Sequence, residues 1–101
     1  MEIYGIINIK NNSIYIGTSW DWIVGKKSHL YKLIKTNHPN NSLQNDFNIY
    51  GINCFKFFFI EEDGDDYFPE YRKVYWIKKF QKKHKMYNIH KKTFRKQINT
   101  Y

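Results

Sequence analysis

The sequence predicts an α+β domain: a small three-stranded antiparallel sheet flanked by helices, in the order β-β-α-α-β-α. Three observations point there. Two short runs rich in β-branched and aromatic residues, Ile3–Ile9 (IYGIINI) and Ser13–Gly17 (SIYIG), are separated by Lys-Asn-Asn and read as a hairpin. The chain then switches to helical periodicity for two segments. A nearly all-apolar run, Cys54–Ile60 (CFKFFFI), follows them and supplies a third strand.

Each element has its own local signal. After Asp21, which is placed to cap a helix, Trp22, Ile23, Leu30, Leu33 and Ile34 recur at helical spacing. Gly25 weakens that helix by about 1 kcal/mol relative to alanine. Residues 36–41 (TNHPNN) form a loop by composition. In the second helix Ser42 is the expected cap, Leu43, Phe47 and Ile49 the apolar face, and Gly51 the C-terminal stop. The third strand's almost unbroken apolar character predicts burial on both faces. Pro69 suits the first turn of the last helix, which is expected to present Tyr71, Val74, Tyr75, Ile77 and Phe80. Met86–Ile89 (MYNI) is expected to return as a short extended piece. The domain therefore spans residues 1–89, and residues 90–101 read as a loosely attached basic tail.

At 101 residues the chain is near the size at which one core only just suffices, and a 20% aromatic content compensates. The single cysteine, Cys54, excludes an intramolecular disulfide and a cysteine-based zinc site, and reads as a small buried hydrophobe. No positively charged leader precedes an apolar core, and no apolar run is long enough to span a bilayer. A soluble, intracellular protein with no membrane partner is expected.

The formal charge of +8 is unevenly placed. Five of the six residues 61–66 (EEDGDD) are acidic, whereas residues 71–101 hold eleven Lys or Arg and no Asp or Glu. A basic block interleaved with aromatics favours nucleic acid, because each neutralised phosphate releases condensed counterions. The plain alternative is a solvated helix face followed by a frayed tail. The residues expected to form the footprint are Lys26, Lys27, Lys73, Lys78, Lys79, Lys82, Lys83, Lys91, Lys92, Arg95 and Lys96.

EIYGIIN, IYIGTS, SHL, SLQNDFNIYG, FIEE, VYWI and YNI follow one another along residues 1–89. As an ordered set they resemble a GIY-YIG nuclease domain, the type found in intron-encoded homing endonucleases and in some repair and restriction enzymes. The resemblance implies that fold, and hydrolysis of a DNA phosphodiester with a single divalent ion. It makes Tyr4 the base that deprotonates water, with the Tyr15 hydroxyl beside it. It also requires an arginine on the first helix to meet the charge on the phosphate, supported one turn later by His29. A glutamate three residues before Trp76 would hold the metal, and Asn88 would brace the site from the end.

The match is uneven. Tyr4, Tyr15, Gly17, His29, Trp76 and Asn88 fit, while Glu2 replaces the first motif glycine. Gly25 stands at the arginine position and Lys73 at the metal-ligand position. Losing a transition-state donor costs about 100- to 1,000-fold, and Lys73 puts an ammonium where a carboxylate should attract a cation. The expectation is a catalytically degenerate domain that binds nucleic acid, DNA in preference to RNA, with no resident cofactor. In it Tyr4, Tyr15, His29 and Asn88 are vestigial, and together with Lys73 they bound an open cleft. One alternative is an active Mg²⁺-dependent endonuclease, with Lys26 or Lys27 supplying the lost charge and Glu70 or Glu2 the ligand. Another is a structural or inhibitory docking subunit in a larger nucleoprotein or protein assembly. Apart from the resemblance, Tyr4 and Tyr15 read as strand packing residues and His29 as a surface histidine. Lys73 is either solvated or holds a phosphate. Trp20 and Trp22 either pack on the sheet or form an exposed aromatic pair. No target-reading domain follows in this chain, so sequence-specific recognition by it alone is not expected.

Overall fold

Short asparagine turns start the fold. Strand β1 (Glu2–Asn8) pairs antiparallel with β2 (Ser13–Ser19). Between them Asn8 Oδ1 accepts from the Lys10 amide, Asn11 Oδ1 accepts from the Ser13 amide, and Asn12 takes a positive φ of 64°. Asparagine enters that left-handed region more readily than most residues with a side chain. The computed structural model describes residues 1–62 and 69–88. Strand β3 (Phe55–Glu62) pairs antiparallel with the other edge of β1, so the sheet order is β2-β1-β3 with β1 central. Helices α1 (Trp22–Ile34) and α2 (Asn41–Tyr50) lie between β2 and β3 in sequence, a single 3-10 turn (Ile52–Cys54) precedes β3, and α3 (Pro69–Phe80) follows it. This is the expected α+β order and the expected antiparallel sheet.

The alternation of side chains along β1 divides the core into two layers. On one face Ile6 packs with Leu33 of α1, Leu43 and Phe47 of α2, Phe55 and Tyr87. On the other Ile3, Ile14 and Ile16 pack with Ile77 of α3, flanked by Phe58, Trp76 and Phe80. The sheet thus separates α1 and α2 from α3.

Several local expectations need correction. The cap of α2 is Asn40, whose Oδ1 accepts from the Leu43 amide, so the helix starts before Ser42. Ile49 is 73% exposed, because Leu43, Gln44 and Phe47 form the buried stripe and Ile49 falls outside it. Strand β3 is not buried on both faces: Phe55 is buried, but Phe57 and Phe58 are half-buried and Phe59 is exposed. As an edge strand it has flanks that the two layers only partly cover. On α3 the inward residues are Trp76, Ile77 and Phe80, while Tyr71, Val74 and Tyr75 are exposed. Cys54 is half-buried against the first layer. Ile89, the tail 90–101 and most of the acidic run lie outside the described residues.

The expected return of residues 86–88 is present, and it finishes the free edge of β2. Ile14 N–H donates to Lys85 O, and Tyr87 N–H donates to Ile14 O. One step further a side chain takes over from the backbone. Asn88 Oδ1 accepts from Ile16 N–H at 2.8 Å, and Asn88 Nδ2 donates to Ile16 O at 3.0 Å. The buried primary amide therefore acts as one more residue of strand. Tyr87 anchors the same segment to α2, donating its hydroxyl to Asp46 at 2.6 Å.

Replacing Asn88 with alanine strips both bonds and leaves a buried amide and carbonyl unpaired. The expected loss is about 2–4 kcal/mol of folding stability, measured by urea denaturation. A loss below about 0.5 kcal/mol, the size of a neutral surface change, would mean that the segment is not needed to close the sheet.

Candidate functional site

Near the start of the central strand, Tyr4 is only 1% exposed. Two glycines make room for it. Gly17 is its cross-strand partner, and a Cβ there would lie 2.8 Å from Tyr4 Cζ. Gly25 of α1 covers the hydroxyl. A Cβ on residue 25 would lie 2.8 Å from Tyr4 Oη, 3.1 Å from its Cζ and 3.0 Å from Ser19 Cβ. The bare backbone at position 25 is what lets the hydroxyl approach the helix.

From that hydroxyl a line of short hydrogen bonds crosses the site. Tyr4 Oη is 2.7 Å from His29 Nε2, and His29 Nδ1 is 2.7 Å from His38 Nε2. The direction of the line is set at its far end, where the Asn40 backbone N–H donates to His38 Nδ1 at 3.0 Å. A backbone amide only donates, so His38 Nδ1 carries a lone pair and His38 holds its proton on Nε2. That proton is donated to His29 Nδ1, which leaves the His29 proton on Nε2, donated to Tyr4 Oη. A second proton on either ring would set two N–H groups against each other. Both imidazoles are accordingly held neutral. Burial, then the charges of His38, Lys32 and Lys73, lower His29 from 6.5 to about 4. Burial and Lys32 lower His38 as well. Burial, reinforced by Tyr15, pushes the Tyr4 phenol well above its ordinary range. The Tyr15 ring meets both imidazoles edge-on, with centroids 5.3 and 5.9 Å away.

The loop residue His38 was not singled out by the sequence reading, yet it is among the most firmly held groups here. Its own N–H donates to Gln44 Oε1 at 3.0 Å, and Gln44 Nε2 donates to Leu33 O at the end of α1. The available signal was His-Pro-Asn at residues 38–40. Proline biases the residue before it toward extended backbone, and asparagine is a preferred N-cap.

The nearby carboxylates are engaged in structure. Glu2 Oε1 accepts from Trp22 N–H at 2.7 Å, and Asp21 Oδ1 accepts from Ile23 N–H at 2.9 Å. Two acids thus meet the positive end of α1. Glu61 takes two bonds from Arg72, at 2.7 and 2.8 Å, which hold its carboxyl below the usual range. Among the described residues no three His, Cys, Asp or Glu side chains gather as metal ligands would.

No protein-family model matches the chain. It is 37% identical over 94 residues to Intron-associated endonuclease 1 of Enterobacteria phage T4, a match that covers 91% of this chain and 38% of that protein. Its fold matches the catalytic domain of homing endonuclease I-TevI with a TM-score of 0.79 and 34% identity, over 88% of this chain and 98% of that one. A mutant of the same catalytic domain matches with a TM-score of 0.72 and 33% identity, over 80% and 86% of the two chains. This chain belongs to the GIY-YIG nuclease family.

In this GIY-YIG domain Tyr4, Tyr15, Gly25 and His29 come together as the motifs imply, and Lys73 adds its charge beside them. Tyr4 is sunk under Gly25, and Asn88 is buried as the partner of Ile16. Trp22 is half-buried with its ring 6.0 Å from that of Phe59, whereas Trp20 is 69% exposed, so the two do not form an exposed pair. Lys26 is half-buried with its ammonium 5.5 Å from the Phe57 ring, and Lys27 is exposed. Lys78, Lys79 and Lys82 line one groove with Tyr75, and Lys83 is exposed. Lys91, Lys92, Arg95 and Lys96 lie outside the described residues, as does the Glu70 side chain.

Two measurements probe this geometry. His29 titrates near 4 in the fold and near 6.5 when unfolded, so the unfolded chain binds more protons between those values. Stability should therefore fall as pH is lowered through that window. Replacing His29 and His38 with glutamine should flatten the fall, and an unaltered pH dependence in that variant would contradict the neutral pair. At position 25, helix propensity alone predicts that alanine gains about 1 kcal/mol. The contact with the buried Tyr4 reverses the sign, and Gly25→Ala should lower stability by about 1–2 kcal/mol net. A stabilised Gly25→Ala would show that Tyr4 does not depend on the space.

Proposed function

We propose that this domain holds nucleic acid, DNA in preference to RNA, without cutting it. The observation that carries the reading is the Tyr4 hydroxyl lodged against Gly25. Phosphodiester hydrolysis needs a base to take a proton from water and a cation to meet the developing charge. Tyr4 is buried, its pKa is raised, and its oxygen already accepts from a neutral His29. The position from which an arginine would reach the phosphate has no side chain.

Among the described residues, the donor set around Tyr4 does not fit the divalent ion that the family implies. The cluster offers phenols and neutral imidazoles, and the ligand position holds Lys73, whose ammonium opposes positive charge at His29. Glu2 and Glu61 are committed to Trp22 and Arg72. Lys32 and Lys73 beside the cluster suit a phosphate, which lysine binds as a point charge. The named endonucleases among the relatives make DNA the first polyanion to test.

A second reading, a docking subunit, draws support from the outer side of α1. There Val24, Tyr31 and Ile34 are all exposed, with Trp20 just before the helix.

The test pairs cleavage with binding. Supercoiled and single-stranded DNA should stay intact with Mg²⁺ or Mn²⁺, while affinity for duplex DNA falls with salt at a log–log slope of roughly −0.9 per phosphate neutralised. Metal-dependent nicking that disappears in Tyr4→Phe would restore the enzyme. Salt-insensitive or undetectable binding would favour the docking subunit.

A further inference from the structure

We infer that the outward face of α1 is a docking surface for a helix of another protein, one that is apolar along a stripe and acidic along its edges. This rests on the docking reading above, to which it adds a place and a partner, and it needs no nucleic acid.

The surface follows from the way α1 is buried. Gly25 covers Tyr4, and Leu33 packs with Ile6, Leu43 and Phe47, which fixes the inward side of the helix. At about 100° per residue, Val24, Lys27, Tyr31 and Ile34 fall together on the opposite side, within an arc of about 80°. Val24, Tyr31 and Ile34 are 59, 63 and 61% exposed, and Ile23 at the edge of the arc is exposed too. Trp20, just before the helix, extends the row. Single exposed apolar side chains are ordinary, but a row of them running about 15 Å along one helix marks an interaction site.

The spacing sets the shape of the partner. Positions 24, 27, 31 and 34 are separated by three, four and three residues, the seam that one helix offers to another. A strand docks through backbone hydrogen bonds, and those of α1 are used within the helix.

The charges set its chemistry. Residues 22–35 hold Lys26, Lys27, Lys32 and the C-cap Lys35, and no Asp or Glu. Lys27 interrupts the apolar row, and the Lys35 ammonium lies 5.7 Å from the Tyr31 ring. A carboxylate opposite Lys27 would satisfy it and fix the register, as a single polar residue does in a helix seam. A second copy of α1 would set lysines against lysines, a like-charge contact that lowers affinity. A lipid surface would draw the Lys27 ammonium toward the acyl layer along with its apolar neighbours. A phosphate backbone would leave Val24 and Ile34 with nothing to pack on.

The experiment uses two synthetic helical peptides of about three heptads, each with leucine at the seam positions. One carries glutamate at the flanking positions and the other lysine. Fluorescence anisotropy with the full chain should show one acidic peptide bound per chain and the basic peptide unbound. Val24→Ser, Tyr31→Ser and Ile34→Ser together should weaken the acidic peptide at least about tenfold, the loss expected from one large side chain in a packed contact. Lys27→Gln should weaken it less and reduce its salt dependence. Circular dichroism checks that each variant is folded. The triple variant alters no charge, so its affinity for duplex DNA should match that of the unaltered chain, which keeps this surface distinct from the nucleic-acid reading. Equal binding of the acidic peptide by the triple variant would overturn the assignment to α1 and leave the docking reading standing. A chain that sediments as a dimer, and as a monomer in the triple variant, would put a second copy in the partner's place. Binding to vesicles of anionic lipid that the same substitutions abolish would put a membrane there. An unaltered chain that binds neither peptide would overturn this inference.

Discussion

The ring of Tyr4 needs a slot between sheet and helix, and the rest of the site depends on that slot being kept clear. Gly17 clears it from the neighbouring strand, and Gly25 clears it from α1. With both side chains absent, the phenol sinks until its oxygen meets His29. The buried ring then has little alternative, because withdrawing it would open a cavity on the central strand. At position 25 the tyrosine hydroxyl lies within 2.8 Å of the point where any side chain would begin.

From that contact order passes outward through hydrogen bonds whose direction is fixed. Gln44 holds the His38 backbone and the end of α1, Asn40 fixes the His38 tautomer, and His38 fixes that of His29. Asn40 also caps α2 and donates its side-chain amide to Tyr87 O, which ties the same point to the C-terminal segment. Each bond is modest alone, but these groups lie in a poorly solvated interior where an unpaired partner would be costly. A network built this way orders a site whether or not chemistry happens in it. Retained architecture is therefore compatible with the proposed loss of cleavage.

Much of this was legible in the sequence, and the limits have physical causes. The hairpin, the Asp21 cap, the Gly51 stop and the order of elements follow from short-range signals, and those appear where expected. The motif residues also placed Tyr4, Tyr15, Gly25 and His29 in one neighbourhood. Depth was not legible. How deeply Tyr4 sits depends on a space left by a glycine on another element, which no spacing rule reports. The burial of β3 failed for a related reason: apolar content does not tell an edge strand from a central one. His38 was passed over because a loop reads as punctuation until its partners are seen. That Asn88 completes a strand was not legible either, since a side-chain amide imitating backbone leaves no pattern in sequence.

The two faces of the sheet also carry different constraints. Around Tyr4 almost every polar group has a dedicated partner, so a change at one position disturbs several others. On the outer side of α3 and just past its end, the lysines of the groove are exposed, and only Lys79 reaches a core ring, its ammonium 5.9 Å from that of Trp76. Surface charge of this kind can accumulate at little cost to stability, whereas a replaced residue in the buried cluster must be accommodated by its neighbours. The proposed nucleic-acid affinity and the integrity of the Tyr4 cluster are therefore separable in this fold. If cleavage was lost at positions 25 and 73, nothing in the packing obliged binding to be lost with it.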